Sequence, residues 1–379
     1  MNRKTLYTLV FLLALAFTSC SQSTKESVTK SFQTILDDAV KKKKINLSGV
    51  SMTVVSPDLD IHWTGVSGFD SNEKDNVLLP EQPFRIASLT KTFIAASILR
   101  LQENGKLSIE DPISNYISEE HREILEEDGY DPFSITIKHC LRHQSGLFDY
   151  AEGSSDYIEA CAKDPNKRWT RTEQLQFAMR VGDPLGKPGE IYEYSDTGYI
   201  LLGEIIENVS DLPLEEAMRI LLKYKSLQLN STWLESLEKR PEGLPDPVHR
   251  YLEDTDATLF DNSIDLYGGG GISSTAKDLG TFFNALFNGG VFEKENTIKL
   301  MTTKADLSEE ESDEASYGLG MGITPFKDTV LYTHSGFWGT VWIHAPKYNT
   351  TIVINYTNDT EGAGIFGKTI AKIIELTEK

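Results

Sequence analysis

The chain has 379 residues, with 57 acidic against 37 basic side chains and a net charge of -20. That balance argues against nucleic acid or an anionic lipid surface as partner, because phosphates are held by clustered Lys and Arg. The three cysteines form no Cys/His cluster of ligand spacing, so neither a metal nor another cofactor is expected.

The chain opens Met1-Asn-Arg-Lys4, runs apolar from Leu6 to Phe17 and reaches Phe17-Thr-Ser-Cys20. A basic start, a short apolar run and small residues before a cysteine predict an export signal over residues 1–19, too short to span a bilayer comfortably. It resembles a bacterial lipoprotein signal. That resemblance implies lipid on Cys20, anchorage to a membrane and a place in the cell envelope facing the periplasm or exterior. An ordinary secretory peptide with an incidental cysteine is the other reading. Residues 20–29 are polar and read as a tether, leaving 30–379 as the folded domain. Within it Cys140 and Cys161 are either a bridge or buried free thiols.

Ser31 to Ile45 reads as an amphipathic helix with Phe32, Ile35, Leu36 and Val40 on one side. Gly49-Val-Ser-Met-Thr-Val-Val55 and Ile61-His-Trp-Thr-Gly-Val66 alternate as a hairpin about Pro57-Asp-Leu-Asp60. From Leu89 a nearly apolar helix runs to a stop at Gly105. Residues 111–261 read as mostly helical: 170–180, 198–208 and 214–222 are helices, Ile135 to His143 feeds another, and 241–261 is loop. Sheet periodicity returns after the glycines at 268–271. A capped helix follows Ser274, then a Gly-rich strand over 316–323, a strand from Asp328 to His334, and a hairpin of 340–345 with 350–356. A helix over 364–376 closes the chain, and the acidic run Glu309 to Glu314 reads as solvated loop. The expected fold is therefore α/β (α+β): an antiparallel sheet flanked by helices. Its sheet part, about 30–110 and 262–379, comes from both chain ends, with a helical part at about 111–261 inserted between.

The chemistry begins at Ser88. Lys91 stands three residues on, so the two side chains share one helical face. A serine hydroxyl becomes a nucleophile once a neighbouring group takes its proton, and a buried lysine is one way to supply that group. By itself Ser-x-x-Lys is a weak signal, since a helix cap followed by a lysine is ordinary. Two other stretches add polar groups on non-periodic segments. Tyr194-Ser-Asp196 precedes a helix, and Tyr194 is a candidate proton relay. Asp196 either orients Lys91 or caps the helix. His334-Ser-Gly336 ends a strand, where His334 could donate to a substrate or tune the pair. Phe337 and Trp338 follow it, facing either a cleft or the core.

Ser88-Leu-Thr-Lys91, Tyr194-Ser-Asp196 and His334-Ser-Gly336 stand in the order found in the serine beta-lactamase and penicillin-binding-protein superfamily. The chain resembles its branch of class C beta-lactamases, D-alanyl-D-alanine carboxypeptidases, D-aminopeptidases and esterases. Leu141-Arg-His-Gln-Ser-Gly-Leu147, Pro188-Gly-Glu190 and Gly269-Gly-Gly-Ile-Ser-Ser-Thr-Ala-Lys-Asp-Leu279 match as well, so the resemblance covers about residues 30–360. It implies acylation of Ser88, with Lys91, Tyr194 and His334 catalytic, an oxyanion held by the N–H groups of Ser88 and Phe337, and substrate contacts from Asp196, Ser335, Gly336 and Phe337. The partner implied is a small peptide, amide or ester, foremost a D-amino-acid peptide related to cell-wall stems. Class C-like beta-lactamase, esterase and a non-catalytic ligand- or peptidoglycan-binding protein are the alternatives. Two departures matter: Asp196 replaces the usual Asn, losing a donor and adding a charge, and His334 stands where beta-lactamases often have Lys.

Overall fold

The computed structural model describes residues 26–42, 44–252, 255–305, 315–358 and 364–378. The export signal, Cys20 and the acidic run at 309–314 lie outside the described residues. Helix α1 spans 26–41 and precedes the hairpin of β1 (Gly49–Ser56) and β2 (Ile61–Gly68). Strand β3 (Phe84–Arg85) passes through one 3-10 turn at Ala87–Leu89 into α2 (Thr90–Glu103). The helical block follows as α3 (Glu119–Glu127), α4 (Ile137–Leu141), α5 (Asp156–Lys163), α6 (Arg171–Val181), α7 (Asp196–Ser210), α8 (Leu214–Leu221) and α9 (Tyr224–Leu227). Short strands β4 (Trp233–Leu234), β5 (Tyr251–Leu252), β6 (Thr255–Asp256) and β7 (Ile272–Ser274) lead to α10 (Ala276–Phe287) and α11 (Glu295–Met301). The chain ends with β8 (Ser316–Tyr317), β9 (Gly322–Phe326), β10 (Thr329–Gly336), β11 (Thr340–Ala345), β12 (Thr350–Tyr356) and α12 (Ile365–Thr377).

Among the described residues the main sheet is seven-stranded and antiparallel, in the order β2-β1-β12-β11-β10-β9-β8. β1 pairs β12 from Val50↔Tyr356 to Val55↔Thr351, so the two ends of the chain close one sheet, as the period-two segments led us to expect. Strand alternation sorts β1 between two cores. Val50, Met52 and Val54 pack with Phe32, Leu36, Ile352, Ile354, Ile370 and Ile373 beneath α1 and α12. Ser51 and Thr53, on the opposite face, are buried on the side where α10 crosses β1 and β12. Each fully buried Phe, Leu or Ile contributes about 1.5–3 kcal/mol, so these stripes fix the register.

Several boundaries differ from the sequence reading. The first helix spans 26–41 rather than 31–45: it takes in residues 26–29, read as tether, and gives way to turns in which Lys42 N–H donates to Ala39 O at 3.3 Å and Ile45 N–H to Lys42 O at 3.0 Å. The Gly-rich segment 316–323 is broken into β8 and β9: Gly318 N–H donates to Met321 O at 2.8 Å, and Thr92 Oγ1 of α2 donates to Gly320 O at 2.7 Å. Loop 241–261 holds the small β5–β6 hairpin. Cys140 and Cys161 are both buried and free.

Helix α2 is the axis of the molecule. Its residues Thr90 to Leu101 are all buried, and it packs against α7 and α8. The 3-10 turn that starts it lies against β10 and β11. Pairing of β3 with β7 brings the segment before Ser88 beside the one after Gly269–Gly271.

Candidate active site

Ser88 is half-buried on the turn entering α2, preceded by Ala87 in the left-handed region at φ 47°. A non-glycine residue held there stores on the order of 1–3 kcal/mol, which the buried surroundings sustain. One turn on, the fully buried Lys91 donates from Nζ to Ser88 Oγ at 2.9 Å and to Gly269 O at 2.8 Å, and it forms an ion pair with Asp196 Oδ1. Those three acceptors match the three N–H donors of an ammonium. Gly269 is glycine for a steric reason: a Cβ there would stand 2.8 Å from Asp196 Oδ1.

Asp196 is the first residue of α7, and its side chain goes to Lys91 rather than capping the helix. Its backbone N–H donates to Asp149 Oδ1 at 3.1 Å. Asp149 also accepts from the N–H groups of Ala151 and Glu152 at 3.0 and 3.2 Å, so one carboxylate ties α7 to the cleft wall. Burial and the neighbouring Asp196 raise the Asp149 carboxyl well above its ordinary range. The ring of Tyr194 lies 4.9 Å from Lys91 Nζ. Burial and the charge of Asp196 push its phenol well above the ordinary value, opposed by a hydrogen bond with Ser88. Lys91 and Tyr194 thus converge on the same hydroxyl.

The third motif closes the site from β10. Gly336 brings the strand onto the turn before Ser88, because a Cβ there would sit 2.3 Å from Ile86 O and 2.4 Å from Thr340 Oγ1. His334 is buried, with Nδ1 2.7 Å from Ser335 O and Nε2 2.8 Å from Tyr317 Oη. A carbonyl only accepts, so Nδ1 carries the proton and Nε2 accepts from Tyr317. Burial, with Lys91 nearby, lowers the imidazole to about 3, leaving it neutral at physiological pH. Both ring nitrogens are thus engaged within the fold. The aromatic pair divides: Phe337 is half exposed in the cleft, while Trp338 is buried beneath it with ring centroids 4.9 Å apart.

These residues meet in a cleft of about 1400 Å³ whose lining includes Ser88, Tyr194, Asp196, His334, Ser335, Gly336 and Phe337. The three motifs, spread between Ser88 and Gly336 in sequence, therefore share one cavity. Residues outside the motifs complete it. His143, from the Leu141–Leu147 string, stacks on Tyr194 at 4.1 Å and accepts the Ser195 N–H at 3.1 Å, which places the Tyr194 segment. The Pro188–Glu190 turn docks on the same string, Gly189 N–H donating to Gln144 O at 2.8 Å. Glu152, Glu159 and Asp265 add carboxylates to the lining. Burial and Asp196 raise Glu152, and burial takes Asp265 to about 6. His143 was visible as part of a matching string, whereas Asp149, Glu152 and Asp265 carry no local signal.

Comparison with known proteins agrees with this geometry. Residues 32–376 match the Beta-lactamase family model. Penicillin-binding protein 4* of Bacillus subtilis (strain 168) is 24% identical over 344 residues, 87% of this chain and 69% of the relative. A putative D-alanyl-D-alanine carboxypeptidase of Escherichia coli (strain K12) is 26% identical over 329 residues, covering 74% and 72%. Among solved structures, the D-amino acid amidase of Ochrobactrum anthropi SV3 superposes with a TM-score of 0.76 at 22% identity, over 93% of this chain and 100% of that one. With the family match spanning nearly the whole described domain, and a Ser-Lys-Tyr centre in its cleft, the chain belongs to the Beta-lactamase family and is a serine hydrolase.

Proposed function

We propose that the protein hydrolyses small D-amino-acid amides and peptides that present a free amine near the scissile bond, through an acyl-enzyme on Ser88. In the first step Ser88 Oγ attacks the carbonyl, its proton leaves toward the Lys91 and Tyr194 side, and that proton returns to the departing amine. Water then attacks the ester by the reverse route. The N–H groups of Ser88 and Phe337, both residues of the cleft lining, are the donors proposed for the oxyanion.

The observation that carries the substrate reading is charge. Among the described residues lining the cleft, Glu152, Glu159, Asp196 and Asp265 are acidic and none is Lys or Arg. With His334 neutral and the buried Lys91 occupied by Ser88, Gly269 O and Asp196, the lining offers a substrate carboxylate no Lys or Arg, whereas an ammonium meets the carboxylates of Glu152 and Glu159. That favours a free-amine substrate over a beta-lactam, whose acid group needs a basic anchor. It is also the class named for the amidase with the same fold. Glu152 is the proposed amine anchor.

The test is one panel: D-aminoacyl amides, their N-acetyl forms, D-Ala-D-Ala peptides, short-chain esters and a chromogenic cephalosporin. Free-amine amides are expected to lead, and Glu152→Gln to lower their kcat/KM about tenfold while leaving the N-acetyl forms unchanged; tenfold corresponds to about 1.4 kcal/mol. A hundredfold preference for the cephalosporin makes the protein a beta-lactamase instead. A preference for N-acetylated D-Ala-D-Ala peptides makes it a carboxypeptidase.

We further propose that Cys20 carries the lipid that holds this domain on the outer side of a membrane, which places the cleft beside the cell-wall polymer. Lipid is expected to keep the wild type in the membrane fraction and Cys20→Ala in the soluble one. Equal release of both contradicts the anchor.

A further inference from the structure

We infer that His143 is a positioning residue for acylation: it holds the Tyr194 phenol against the Ser88 hydroxyl by gripping the backbone on both sides of Tyr194 and the ring itself. This rests on the serine-hydrolase reading, in which Tyr194 shares the Ser88 proton with Lys91, and adds to it the group that sets where the phenol stands.

Tyr194 needs such a support. Residues 191–195 belong to no helix or strand, and α7 begins only at Asp196. One residue fixes this segment at three points. The backbone O of His143 accepts the Glu193 N–H at 2.9 Å, its Nδ1 accepts the Ser195 N–H at 3.1 Å, and its ring stacks on the Tyr194 ring at 4.1 Å with the planes 29° apart. The imidazole is itself walled in, with Tyr199 and Tyr317 at centroid distances of 5.1 and 4.7 Å. A misplacement of about 1 Å at a reacting group can cost on the order of 10²-fold in rate, so a clamp on both neighbours of Tyr194 bears on the chemistry as well as on the fold.

Packing alone does not account for a histidine here, because the residue carries two local costs. Its backbone stands in the left-handed region at φ 56°, just past α4, where Gly or Asn is the usual choice. Its ring is fully buried and neutral, since burial and the nearby Lys91 and His334 lower it far below the ordinary range. With the Nδ1 lone pair given to Ser195, the proton is on Nε2, and that N–H has no protein acceptor among the described residues. A buried donor left so costs about 1–3 kcal/mol. Phenylalanine would fill the same space and keep the stack without that cost. What it lacks is the lone pair that receives the Ser195 N–H, and Ser195 is itself buried. Strain and an unpaired donor on one residue are what a functional position sustains. His143 is not part of the cleft lining, so it reaches the reaction only through Tyr194.

The test is the rate at which a fluorophosphonate labels Ser88, read by intact mass, because that rate depends on the nucleophile and its base and not on which substrate the enzyme prefers. All variants are compared at a temperature where thermal melting shows them folded. His143→Phe keeps the ring but strands the Ser195 N–H, and labelling is expected to slow by about thirtyfold or more. His143→Asn takes the left-handed backbone readily and puts Oδ1 where Nδ1 was, so it should label about fivefold faster than His143→Phe or better. In a Tyr194→Phe background, His143→Phe should add no more than about a threefold loss, since the group it positions is gone. Labelling of His143→Phe within about threefold of wild type, a His143→Asn variant no faster than His143→Phe, or an equal loss in both backgrounds overturns the inference and leaves His143 a structural residue of the turn after α4. A failed substrate reading does not touch these rates, and a failed serine reading is seen separately, as labelling that survives Ser88→Ala.

Discussion

Replacing Lys91 with methionine is expected to lower turnover by about 10³- to 10⁴-fold and to destabilise the fold by about 3 kcal/mol. Removing a proton-transfer group costs on the order of 10²- to 10⁴-fold, and this side chain contacts the nucleophile directly at 2.9 Å. The stability loss has a separate origin. Methionine fills most of the volume on the buried face of α2 but leaves Asp196 without its cation, and breaking a buried pair from one side costs about 3–5 kcal/mol. Adding Asp196→Asn to Lys91→Met should therefore restore most of the melting temperature without restoring activity. If the single variant melts like the wild type, the ion pair contributes nothing net; if it turns over at more than a tenth of the wild-type rate, Lys91 is not in the proton path.

Ser88→Ala is expected to have the largest effect on activity and almost none on stability. Removal of the hydroxyl leaves one of the three Lys91 N–H donors without its acceptor, but Lys91 keeps Asp196 and Gly269 O, and Ser88 lines the open cleft, so water can take the place of the lost oxygen. Loss of the nucleophile should take hydrolysis of every good substrate in the panel to within a small factor of background, with a melting temperature changed by only a few degrees. Turnover that survives in Ser88→Ala would move the chemistry to another group.

The fold and the centre of the site were legible for different reasons. The sheet was readable because β1, β11 and β12 are short runs rich in β-branched and apolar residues bounded by turns, and α2 because an apolar run ends at Gly105. Ser88, Lys91, Tyr194 and His334 sit in short strings whose order is itself informative. The partner of Lys91 was suggested but not decided, because a carboxylate at the start of a helix serves equally as a cap; only the fold shows Asp196 turned inward. Asp149, Glu152 and Asp265 were invisible because their role depends on which loops the helical block brings beside the sheet. The tautomer of His334 was likewise unreadable, since it depends on Ser335 O and on Tyr317, which β8 and β9 deliver across the sheet edge. The split between exposed Phe337 and buried Trp338 follows from a turn whose direction two adjacent aromatics do not encode.

The most direct test of a serine acyl-enzyme is mass spectrometry of the intact protein after reaction with a serine-reactive fluorophosphonate, followed by mapping of the labelled peptide. One adduct per chain on the peptide that holds Ser88, absent in Ser88→Ala, is the expected result. Labelling at a different residue, or sustained turnover by an enzyme that forms no adduct at Ser88, contradicts it.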